Sequence, residues 1–327
     1  MGIKDQLLDI LEHNREQYIS GQELAEKLSV SRNAIWKNIK KLQEEGHRIV
    51  GINNRGYRLD ILSDIITKQG IKIHLLPQND KYNIIVYDTV DSTNNYGKKL
   101  ISNGSKEETI IISNEQTKGR GRMGREFFSP ANTGVYMSFV LFPNRHVSEL
   151  GTLTTKVCVA VCRVIETIKD CKAEIKWVND IYIDEKKVCG ILTEAVTDFE
   201  SGTVEAVVIG IGLNISTASR DFPNELSMLA GSINPVSVSR NQIVAKLINE
   251  VMTVYNDGNE KLLMEEYRER CFLIGKEITY YRNGLSCTGK AVDINEMGNL
   301  IIEKDNGELD ILNSGEVTLS GSKKEDL

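Results

Sequence analysis

The sequence lacks the features that mark several common classes of protein. No apolar run approaches the roughly 20 residues that a membrane-spanning helix needs, and the first residues begin an amphipathic pattern rather than the apolar core of a signal peptide. The six cysteines include no Cys-x-x-Cys pair and the four histidines are scattered, so neither structural zinc nor disulfides are expected. We therefore predict a cytoplasmic protein without a membrane partner.

The signatures of three large enzyme classes are also missing. The chain contains no Gly-x-Ser-x-Gly, no His-Glu-x-x-His and no phosphate-binding loop ending in Gly-Lys-Ser or Gly-Lys-Thr. The sequence therefore gives no support to serine hydrolase, zinc protease or P-loop chemistry. Any catalysis is expected to depend on arginine, lysine and magnesium.

The charge of the chain is unevenly distributed. The length of 327 residues, with 40% hydrophobic and 26% charged residues, predicts two or three globular domains with a net charge of −6. Residues 1–30 hold three Lys or Arg against six Asp or Glu, whereas residues 31–58 hold seven against two. The second segment is thus locally basic, although the acidic total argues against indiscriminate binding to nucleic acid.

Residues 1–62 carry the pattern of a winged helix-turn-helix domain. Apolar residues at helical spacing, a break at Ser20-Gly21 and a capping residue at Ser31 predict three helices, and alternation around the turn from Asn53 to Gly56 predicts a hairpin. In such domains the third helix enters the major groove of DNA, and the hairpin reaches phosphate or the minor groove. The predicted DNA contacts are Ser31, Arg32, Asn33, Trp36, Lys37 and Arg55. A small helical domain whose charges only face solvent is the alternative.

The rest of the chain predicts a linker and two further domains. Residues 63–81 have weak periodicity and are predicted to be a linker. Residues 82–270 alternate between short apolar runs and helical stretches at 93–102, 150–168 and 240–256, which predicts a mixed sheet with helices. Residues 271–327 alternate as short strands with turns such as Asn283-Gly284, which predicts a small β-barrel. The predicted fold class is α+β.

The most informative stretch is the glycine-rich loop from Glu115 to Arg125, which nominally contains Gly-x-Gly-x-x-Gly. A dinucleotide-binding fingerprint requires a helix directly after it, and Glu126 to Pro130 does not begin one. A flexible loop with four cations remains, suited to closing over phosphates or a carboxylate: Lys118, Arg120, Arg122 and Arg125. A mobile surface loop without a ligand is the alternative.

Four further segments place polar or small residues at the ends of predicted strands. The Ser-Thr-Asn stretch at 92–94 could cap a helix or hold polar atoms of a ligand. The stretch 176–180 could be a plain turn, or could contact phosphate through Lys176 and magnesium through Asp180. Lys187 precedes an apolar strand, where it could face a carboxylate or solvent. The small residues at 210–214 permit close approach of a ligand or form a bulge.

Together and in this order, these motifs resemble the family of bifunctional biotin protein ligases that also repress the biotin operon. The resemblance covers nearly the whole chain. It implies a winged helix-turn-helix, a class II synthetase-like catalytic domain over 82–270 and an SH3-like β-barrel over 271–327. The implied activity forms biotinyl-AMP from biotin and ATP with Mg²⁺ and transfers biotin to a lysine of a biotin carboxyl carrier protein. The implied repressor is a homodimer that binds operator DNA when it holds biotinyl-AMP.

The resemblance also implies roles for individual residues. The residues implied to bind biotin are Ser92, Thr93, Asn94, Gln116, Arg120, Gly121, Arg122 and Lys187. Those implied to bind ATP or the adenylate are Arg122, Arg125, Phe127, Lys176, Asn179, Asp180 and Asn214, with Asp180 also a candidate magnesium ligand. Arg122 and Lys187 are the predicted catalytic residues, because cations stabilise the charge that accumulates on phosphate oxygens during adenylation.

Three positions depart from the pattern of this family. Phe127 stands where tryptophan is expected, Val178 stands where proline is expected, and Met123 lies inside the arginine loop. Phe127 keeps an aromatic face, so Val178 is the departure that most affects the expected turn. For the C-terminal domain, the resemblance implies help with ATP and the carrier protein, and a stabilising appendage is the alternative.

Two rival functions fit parts of the same pattern. A repressor that only senses its ligand would bind it without forming an adenylate, and the complete arginine loop with Lys187 argues against that interpretation. An octanoate or lipoate transferase on a related fold would have a longer apolar pocket and no DNA-binding segment. Competition between biotin and lipoate in the adenylation reaction distinguishes the second rival.

Overall fold

The computed structural model describes residues 2–143, 145–146, 152–197, 203–282 and 284–320. The helices are α1 (Ile3–His13), α2 (Gly21–Lys27), α3 (Arg32–Glu44), α4 (Lys68–Lys72), α5 (Thr93–Ser102), α6 (Leu153–Ile168), α7 (Arg240–Asn256) and α8 (Glu260–Arg270). The strands are β1 (Ile49–Ile52), β2 (Gly56–Leu59), β3 (Asn83–Val90), β4 (Thr109–Gln116), β5 (Gly134–Leu141), β6 (Arg145–His146), β7 (Glu174–Lys176), β8 (Asp180–Ile183), β9 (Lys186–Thr197), β10 (Thr203–Asn214), β11 (Glu277–Arg282), β12 (Leu285–Ile294), β13 (Leu300–Glu303), β14 (Leu309–Leu312) and β15 (Val317–Leu319). The chain divides into two compact units, residues 1–81 with 237–248 and residues 82–236 with 249–327. None of the described helices combines the length and apolar character that crossing a membrane requires.

The first unit begins with the predicted three helices and hairpin. The hydroxyls of Ser20 and Ser31 cap α2 and α3 by accepting hydrogen bonds from the backbone N–H groups of Glu23 (3.1 Å) and Ala34 (3.2 Å). One side of α3 is buried in a core shared with the other helices and the hairpin, formed by Leu7, Leu8, Leu11, Ile19, Leu24, Ala25, Ile35, Ile39, Leu42, Ile49 and Leu59. The opposite side of α3 carries the charged residues and remains exposed.

Gly56 allows the hairpin of β1 and β2 to lie close to the segment between α1 and α2. Ile52 pairs with Gly56 across the turn. Ile19 exchanges two backbone hydrogen bonds with Tyr57, of 2.9 and 2.8 Å. The φ angle of Gly56 is +106°, and a Cβ atom on it would lie 2.0 Å from the carbonyl oxygen of Ile19. Glycine is therefore required both by the backbone conformation and by the close approach of a neighbouring chain segment.

The Gly56→Ala variant is expected to lose about 3 kcal/mol of unfolding free energy in the first unit. The added Cβ atom would be strained at this positive φ angle and would also collide with the carbonyl oxygen of Ile19. Urea unfolding followed by Trp36 fluorescence, in a Trp177→Phe background, measures this unit. Gly46→Ala is the matched control, because Gly46 also has a positive φ (+93°) but its added Cβ would make only a 3.6 Å contact with a side chain. Equal losses in the two variants would contradict the collision.

Residues 63–81, for which a linker was predicted, belong to the first compact unit. They contain α4, which is capped by Thr67 through a 3.0 Å hydrogen bond from the N–H of Gly70. The side chain of Asn241 accepts a hydrogen bond from the N–H of Thr67 (2.9 Å) and donates one to the carbonyl of Ile65 (2.8 Å). The weak periodicity of this segment did not reveal the contacts with Asn241, because Asn241 lies 174 residues after Thr67 in the chain.

An eight-stranded mixed sheet forms the centre of the second unit. Its order is β3-β4-β5-β10-β9-β8-β7, with β6 paired to β10. Only β3 and β4 run parallel among the described pairs, and every residue of β5 is buried. Helix α5 packs against β4, β5 and β10, whereas α6 packs against β8, β9 and α8. This is the mixed sheet with helices that the alternating pattern predicted.

In the second unit, one helix was predicted over a longer range than the structure describes, and another helix was not predicted. Helix α6 begins at Leu153, and the first residues of its predicted range, 150 and 151, lie outside the described residues. Helix α8 was not predicted, because most of its residues are polar and only Leu263, Met264 and Tyr267 are buried. Its helical form is decided by packing against α6 and β7 rather than by a clear apolar periodicity.

The C-terminal segment forms a five-stranded antiparallel sheet of order β14-β13-β12-β11-β15. Alternate residues of these strands are buried, as in the pair Ile278 and Tyr280 on β11. The predicted turn at Asn283-Gly284 falls between β11 and β12, where Gly284 has a φ of +79° and Asn283 lies outside the described residues. The predicted strands are confirmed in this segment.

Candidate functional site

A cleft of about 630 Å³ opens within the second unit. This volume suits a small-molecule ligand. The sequence-predicted ligand residues line the cleft with one exception, Asn214. Asn214 ends β10 as a buried residue whose amide donates to the carbonyl of Gly231 at 3.1 Å, and it is not part of the lining.

The Ser-Thr-Asn turn and Gln116 meet because β3 and β4 are parallel neighbours that end at the same edge of the sheet. Ser92 caps α5 by accepting a hydrogen bond from the N–H of Asn95 at 3.5 Å. The backbone N–H and the hydroxyl of Thr93 both donate to Oε1 of Gln116, at 2.9 and 3.2 Å. The Gln116 amide in turn donates to the hydroxyl of Ser129 at 2.9 Å. The turn therefore caps a helix and lines the cleft, so the two interpretations of its sequence are compatible.

Asn94 is held in one orientation by hydrogen bonds to both polar atoms of its amide. Its Nδ2 donates to Oε2 of Glu194 at 2.9 Å and to the carbonyl of Leu192 at 3.2 Å. Its Oδ1 accepts from the hydroxyl of Ser138 at 2.6 Å. A Cβ atom at Gly210 would lie 2.2 Å from this Oδ1, which explains the glycine at that position of β10.

Glu194 is not itself part of the cleft lining, but it supplies the carboxylate that binds the lining residue Asn94, and the sequence interpretation missed it. Burial raises its pKa, but hydrogen bonds from Lys98 and Asn94 outweigh burial, so that the pKa of Glu194 lies below its usual value. The carboxylate is therefore ionised at neutral pH. The available signal was an acidic residue inside the apolar run from Val188 to Val196.

The glycine-rich loop folds as a small hairpin at the mouth of the cleft. The N–H of Phe127 donates to the carbonyl of Gly119 at 3.0 Å, and the N–H of Gly121 donates to the carbonyl of Arg125 at 2.8 Å. Met123 stands at the tip with a φ of +55° and a side chain that is 73% exposed. The unexpected methionine thus occupies an exposed position at the tip of the loop, and the loop arginines Arg120, Arg122 and Arg125 still line the cleft.

Two consecutive residues hold the two predicted catalytic cations. The guanidinium of Arg122 donates to Oδ1 of Asn179 at 3.2 Å. The ammonium of Lys187 lies 2.7 Å from Oδ2 of Asp180. Because Asn179 and Asp180 are adjacent in the chain, they bring a loop cation and a strand cation to the same part of the cleft. A pair of cations so placed can bind and stabilise an anionic group.

Phe127 forms an aromatic wall of the cleft. Gly190 and Gly212 pair across β9 and β10, and the ring of Phe127 lies over both. A Cβ atom at Gly212 would come within 2.5 Å of this ring. Further apolar lining is provided by Met137, Trp177, Ile191, Leu192, Ile211, Leu226, Leu229 and Ala230. The cleft therefore offers an apolar surface next to cations and hydrogen-bonding groups.

The stretch 176–180 is anchored from outside the sheet. The indole N–H of Trp177 donates to the carbonyl of Gly298 at 2.8 Å, and the hydroxyl of Tyr267 donates to the carbonyl of Val178 at 2.9 Å. The peptide bond between Trp177 and Val178 is cis. The ammonium of Lys176 lies 5.9 Å from the ring centroid of Tyr182.

The C-terminal segment also contributes to the cleft. Lining residues beyond position 270 are Phe272, Lys276, Gly315, Glu316, Val317 and Leu319. Arg125 of the glycine-rich loop forms an ion pair with Glu316. The sequence did not predict which of these residues face a ligand, because their positions depend on how the C-terminal sheet packs.

In the first unit, the predicted DNA-binding residues form an exposed surface on α3 and the hairpin. Arg32, Asn33 and Lys37 are exposed, and Trp36 keeps 50% of its surface accessible. Ser31 acts as the helix cap described above. The guanidinium of Arg55, at the tip of the hairpin, lies 5.2 Å from the ring centroid of Tyr18. A basic helix and a basic hairpin are the parts with which winged helices contact DNA.

Comparison with known proteins assigns a family model to each part of the chain. Residues 4–58 match an HTH domain, residues 86–214 match the Biotin/lipoate A/B protein ligase family, and residues 273–320 match the Biotin protein ligase C terminal domain. The chain is 32% identical to the Bifunctional ligase/repressor BirA of Bacillus spizizenii and to that of Bacillus subtilis, over 93% of this chain and 95% of each relative. Its fold is similar to that of the biotin protein ligase from Aquifex aeolicus solved with biotin and ATP. That match has a TM-score of 0.62 and 28% identity, over 73% of this chain and 99% of the other.

Proposed function

This chain belongs to the family of bifunctional biotin protein ligases and repressors, and we propose that biotin and ATP react in the cleft of its second unit. Its activity is the ATP-dependent attachment of biotin to a carrier protein. Its helix-turn-helix binds operator DNA, and the protein represses transcription. The family model of the central segment covers lipoate ligases as well, but the likeness to the ligase/repressors extends over nearly the whole chain and includes the DNA-binding segment.

The observation that carries the assignment of the cleft is the pair of cations held by Asn179 and Asp180 in the same cleft as the Ser-Thr-Asn turn. The proposed biotin site consists of Ser92, Thr93, Asn94, Gln116, Arg120, Gly121, Arg122 and Lys187. The proposed ATP and adenylate site consists of Arg122, Arg125, Phe127, Lys176, Asn179 and Asp180. Asn214 is proposed for this site as well: the residue is not part of the cleft lining, but its buried Oδ1 has no hydrogen-bond partner among the described residues.

Two steps follow from this arrangement. In the first, a carboxylate oxygen of biotin attacks the α-phosphorus of ATP, the bond to the bridging oxygen breaks, and pyrophosphate leaves. Arg122 and Lys187 offset the negative charge that accumulates on the phosphate oxygens. In the second, a lysine amine of the carrier protein attacks the mixed anhydride and AMP leaves. The hairpin of the glycine-rich loop stands where it can keep water from the anhydride between the steps.

Magnesium fits the cleft at Asp180. Magnesium is bound in ATP-dependent enzymes by one or two carboxylates together with substrate phosphates. Oδ2 of Asp180 pairs with Lys187, whereas its buried Oδ1 has no hydrogen-bond partner among the described residues. Oδ1 is therefore the oxygen that would hold the ion. The ion would supply further positive charge at the phosphates, and Lys187 keeps its own role beside it.

We also propose that repression requires a homodimer that holds biotinyl-AMP. A helix-turn-helix reads one half-site of an operator, and two copies are needed to read a two-fold symmetric site. The adenylate is a suitable signal, because it forms in the cleft and persists until a carrier protein accepts biotin. Enzyme that holds biotinyl-AMP therefore accumulates when the carrier proteins are already biotinylated.

The proposed function is tested with the purified chain, ATP, magnesium and biotin. Biotin-dependent release of pyrophosphate is expected, with transfer of biotin to a carboxyl carrier domain on its addition. Lipoate in place of biotin is expected to give no release, and chelation of magnesium is expected to stop the reaction. Sedimentation of the same mixture is expected to show a dimer that is absent without biotin. Biotin binding without pyrophosphate release would identify a ligand-sensing repressor instead.

A further inference from the structure

Glu194 joins three groups that come from separate parts of the chain. Its Oε2 accepts from Nδ2 of Asn94 at 2.9 Å. Its Oε1 lies 2.8 Å from the ammonium of Lys98 on α5 and 3.8 Å from the guanidinium of Arg120 in the glycine-rich loop. Glu194 itself lies in β9, and its side chain is only 23% exposed. One half-buried carboxylate thus connects a strand, a helix and the loop, and two of its partners, Asn94 and Arg120, line the cleft.

The first consequence concerns the orientation of Asn94. An asparagine amide can rotate to exchange its oxygen and nitrogen, and only its partners decide which atom faces which neighbour. The carboxylate of Glu194 and the carbonyl of Leu192 can only accept, so both require the nitrogen of Asn94 on their side. Without the carboxylate, the orientation would depend on Leu192 and on the hydroxyl of Ser138, which can donate or accept.

The second consequence concerns the loop. Arg120 donates to Oδ1 of Asn95 at 2.8 Å and faces Glu194 at 3.8 Å. These two interactions tie the base of the glycine-rich hairpin to α5 and β9. Arg122 and Arg125, nearer its tip, are bound by Asn179 and Glu316 instead. Removal of the Glu194 carboxylate therefore loosens the biotin end of the loop and leaves the anchors of the other two arginines in place.

We propose that Glu194 is a positioning residue of the biotin site, which fixes the amide of Asn94 and holds Arg120 against the Ser-Thr-Asn turn. The proposal rests on the proposed function of the cleft. It assigns to Glu194 an effect on biotin binding and none on ATP binding, because the cations assigned to the phosphates are held by other residues. It also gives a reason for an acidic residue within an apolar strand.

The test compares the steady-state parameters of Glu194→Ala and Glu194→Gln. The alanine variant is expected to raise KM for biotin about tenfold or more, since it removes charge-assisted hydrogen bonds. The glutamine variant keeps an acceptor for Asn94 and is expected to raise KM for biotin only about threefold. KM for ATP and kcat at saturating biotin are expected to change by less than about twofold, and calorimetry is expected to show the same fall in biotin affinity.

Glu205→Ala is the matched control. Glu205 lies on the neighbouring strand β10 and forms an ion pair with Lys106, which, unlike the Glu194 partners Asn94 and Arg120, is not part of the cleft lining. Its KM for biotin is expected to match that of the wild type. A wild-type protein that releases no pyrophosphate with biotin would overturn the proposed function itself. An active wild type together with an unchanged biotin KM in Glu194→Ala would overturn the role of Glu194.

Two further results would also overturn this role. One is a fall in kcat at an unchanged biotin KM, because a positioning residue of the biotin site acts through affinity. The other is an equal rise of KM for biotin and ATP, which indicates general damage to the fold. If the alanine variant does not fold, Glu194→Gln decides the question, since it preserves the shape of the side chain. A biotin KM equal to that of the wild type in that variant would contradict any role for the charge.

Discussion

Replacement of Lys187 by alanine is expected to slow the formation of biotinyl-AMP by about 10² to 10³-fold, the usual effect of removing one group that stabilises transition-state charge. The ammonium of Lys187 lies in the cleft, 2.7 Å from Asp180. It is the strand cation of the pair that faces the reacting phosphate in the proposed mechanism. Single-turnover release of pyrophosphate at saturating biotin and ATP measures the chemical step apart from binding.

A second effect of Lys187→Ala has to be separated from the removal of the ammonium. The variant leaves the half-buried carboxylate of Asp180 without its ion-pair partner, and an unpaired negative charge would itself repel ATP. The double variant Lys187→Ala with Asp180→Asn removes that charge, and Asp180→Asn alone measures the loss of the proposed magnesium ligand. If the ammonium acts on the phosphate, the double variant is expected to be much slower than Asp180→Asn alone, whereas equal rates in the two would assign the defect to Asp180.

Lys186→Ala serves as the control for Lys187. Lys186 is the preceding residue of the same strand, and it is not part of the cleft lining. Its adenylation rate is expected to equal that of the wild type. Lys187→Arg is expected to remain well below the wild type, because a guanidinium keeps the charge but has a different reach and shape. Adenylation in Lys187→Ala at a rate close to that of the wild type would contradict the catalytic role.

Removal of both Arg32 and Lys37 is expected to weaken operator binding by about 100-fold or more and to leave biotinylation unchanged. Both side chains are exposed on α3, the helix that enters the major groove in a winged helix-turn-helix. The described residues that line the cleft all belong to the second unit, so the chemistry should not be affected. Gel shifts with operator DNA, in the presence of biotin and ATP, measure the first activity, and transfer of biotin to a carrier domain measures the second.

The salt dependence of the same gel shifts shows whether Arg32 and Lys37 bind phosphates or bases. The slope of log K against log salt is negative, and each phosphate interaction that is removed is expected to reduce its magnitude by about 1. Lys27→Ala is the control, because Lys27 lies on α2 and pairs with Glu23 at 2.9 Å on an exposed part of the same unit. An equal fall in DNA binding and biotinylation in a folded Arg32 and Lys37 variant would contradict the division of the two activities.

The winged helix-turn-helix and the strands of the catalytic sheet could be predicted because their signals are local. A hydroxyl at Ser31 caps a helix that begins at the next residue, and Gly56 ends a turn of only a few residues. The short apolar runs likewise coincide with strands, since a strand buried on both faces needs continuous apolar residues. Such patterns depend on neighbours in the chain and are visible without knowledge of the fold.

The candidate site was predicted in part, and the omissions share one cause. The Ser-Thr-Asn turn, Gln116, the arginine loop and Lys187 are visible as polar groups that interrupt or end apolar runs. Ser138 and Glu194 were missed because each lies inside a strand, where its importance depends on a partner in another element. Asn214 was predicted from its place after a glycine-rich strand end, and the structure places its side chain outside the cleft lining.

The sequence by itself determined most of the helices, the turns, the order of the domains and the presence of an arginine- and glycine-rich loop beside polar turns. Only the tertiary structure decided which of these groups meet. Asn94 and Glu194 are 100 residues apart, and Arg122 and Asn179 are 57 apart, yet each pair shares a hydrogen bond in the cleft. Local patterns fix the conformation of a segment through its own backbone, whereas contacts between distant residues follow from the pairing of distant strands. The cation pair and the role of Glu194 therefore emerge only once the sheet has formed.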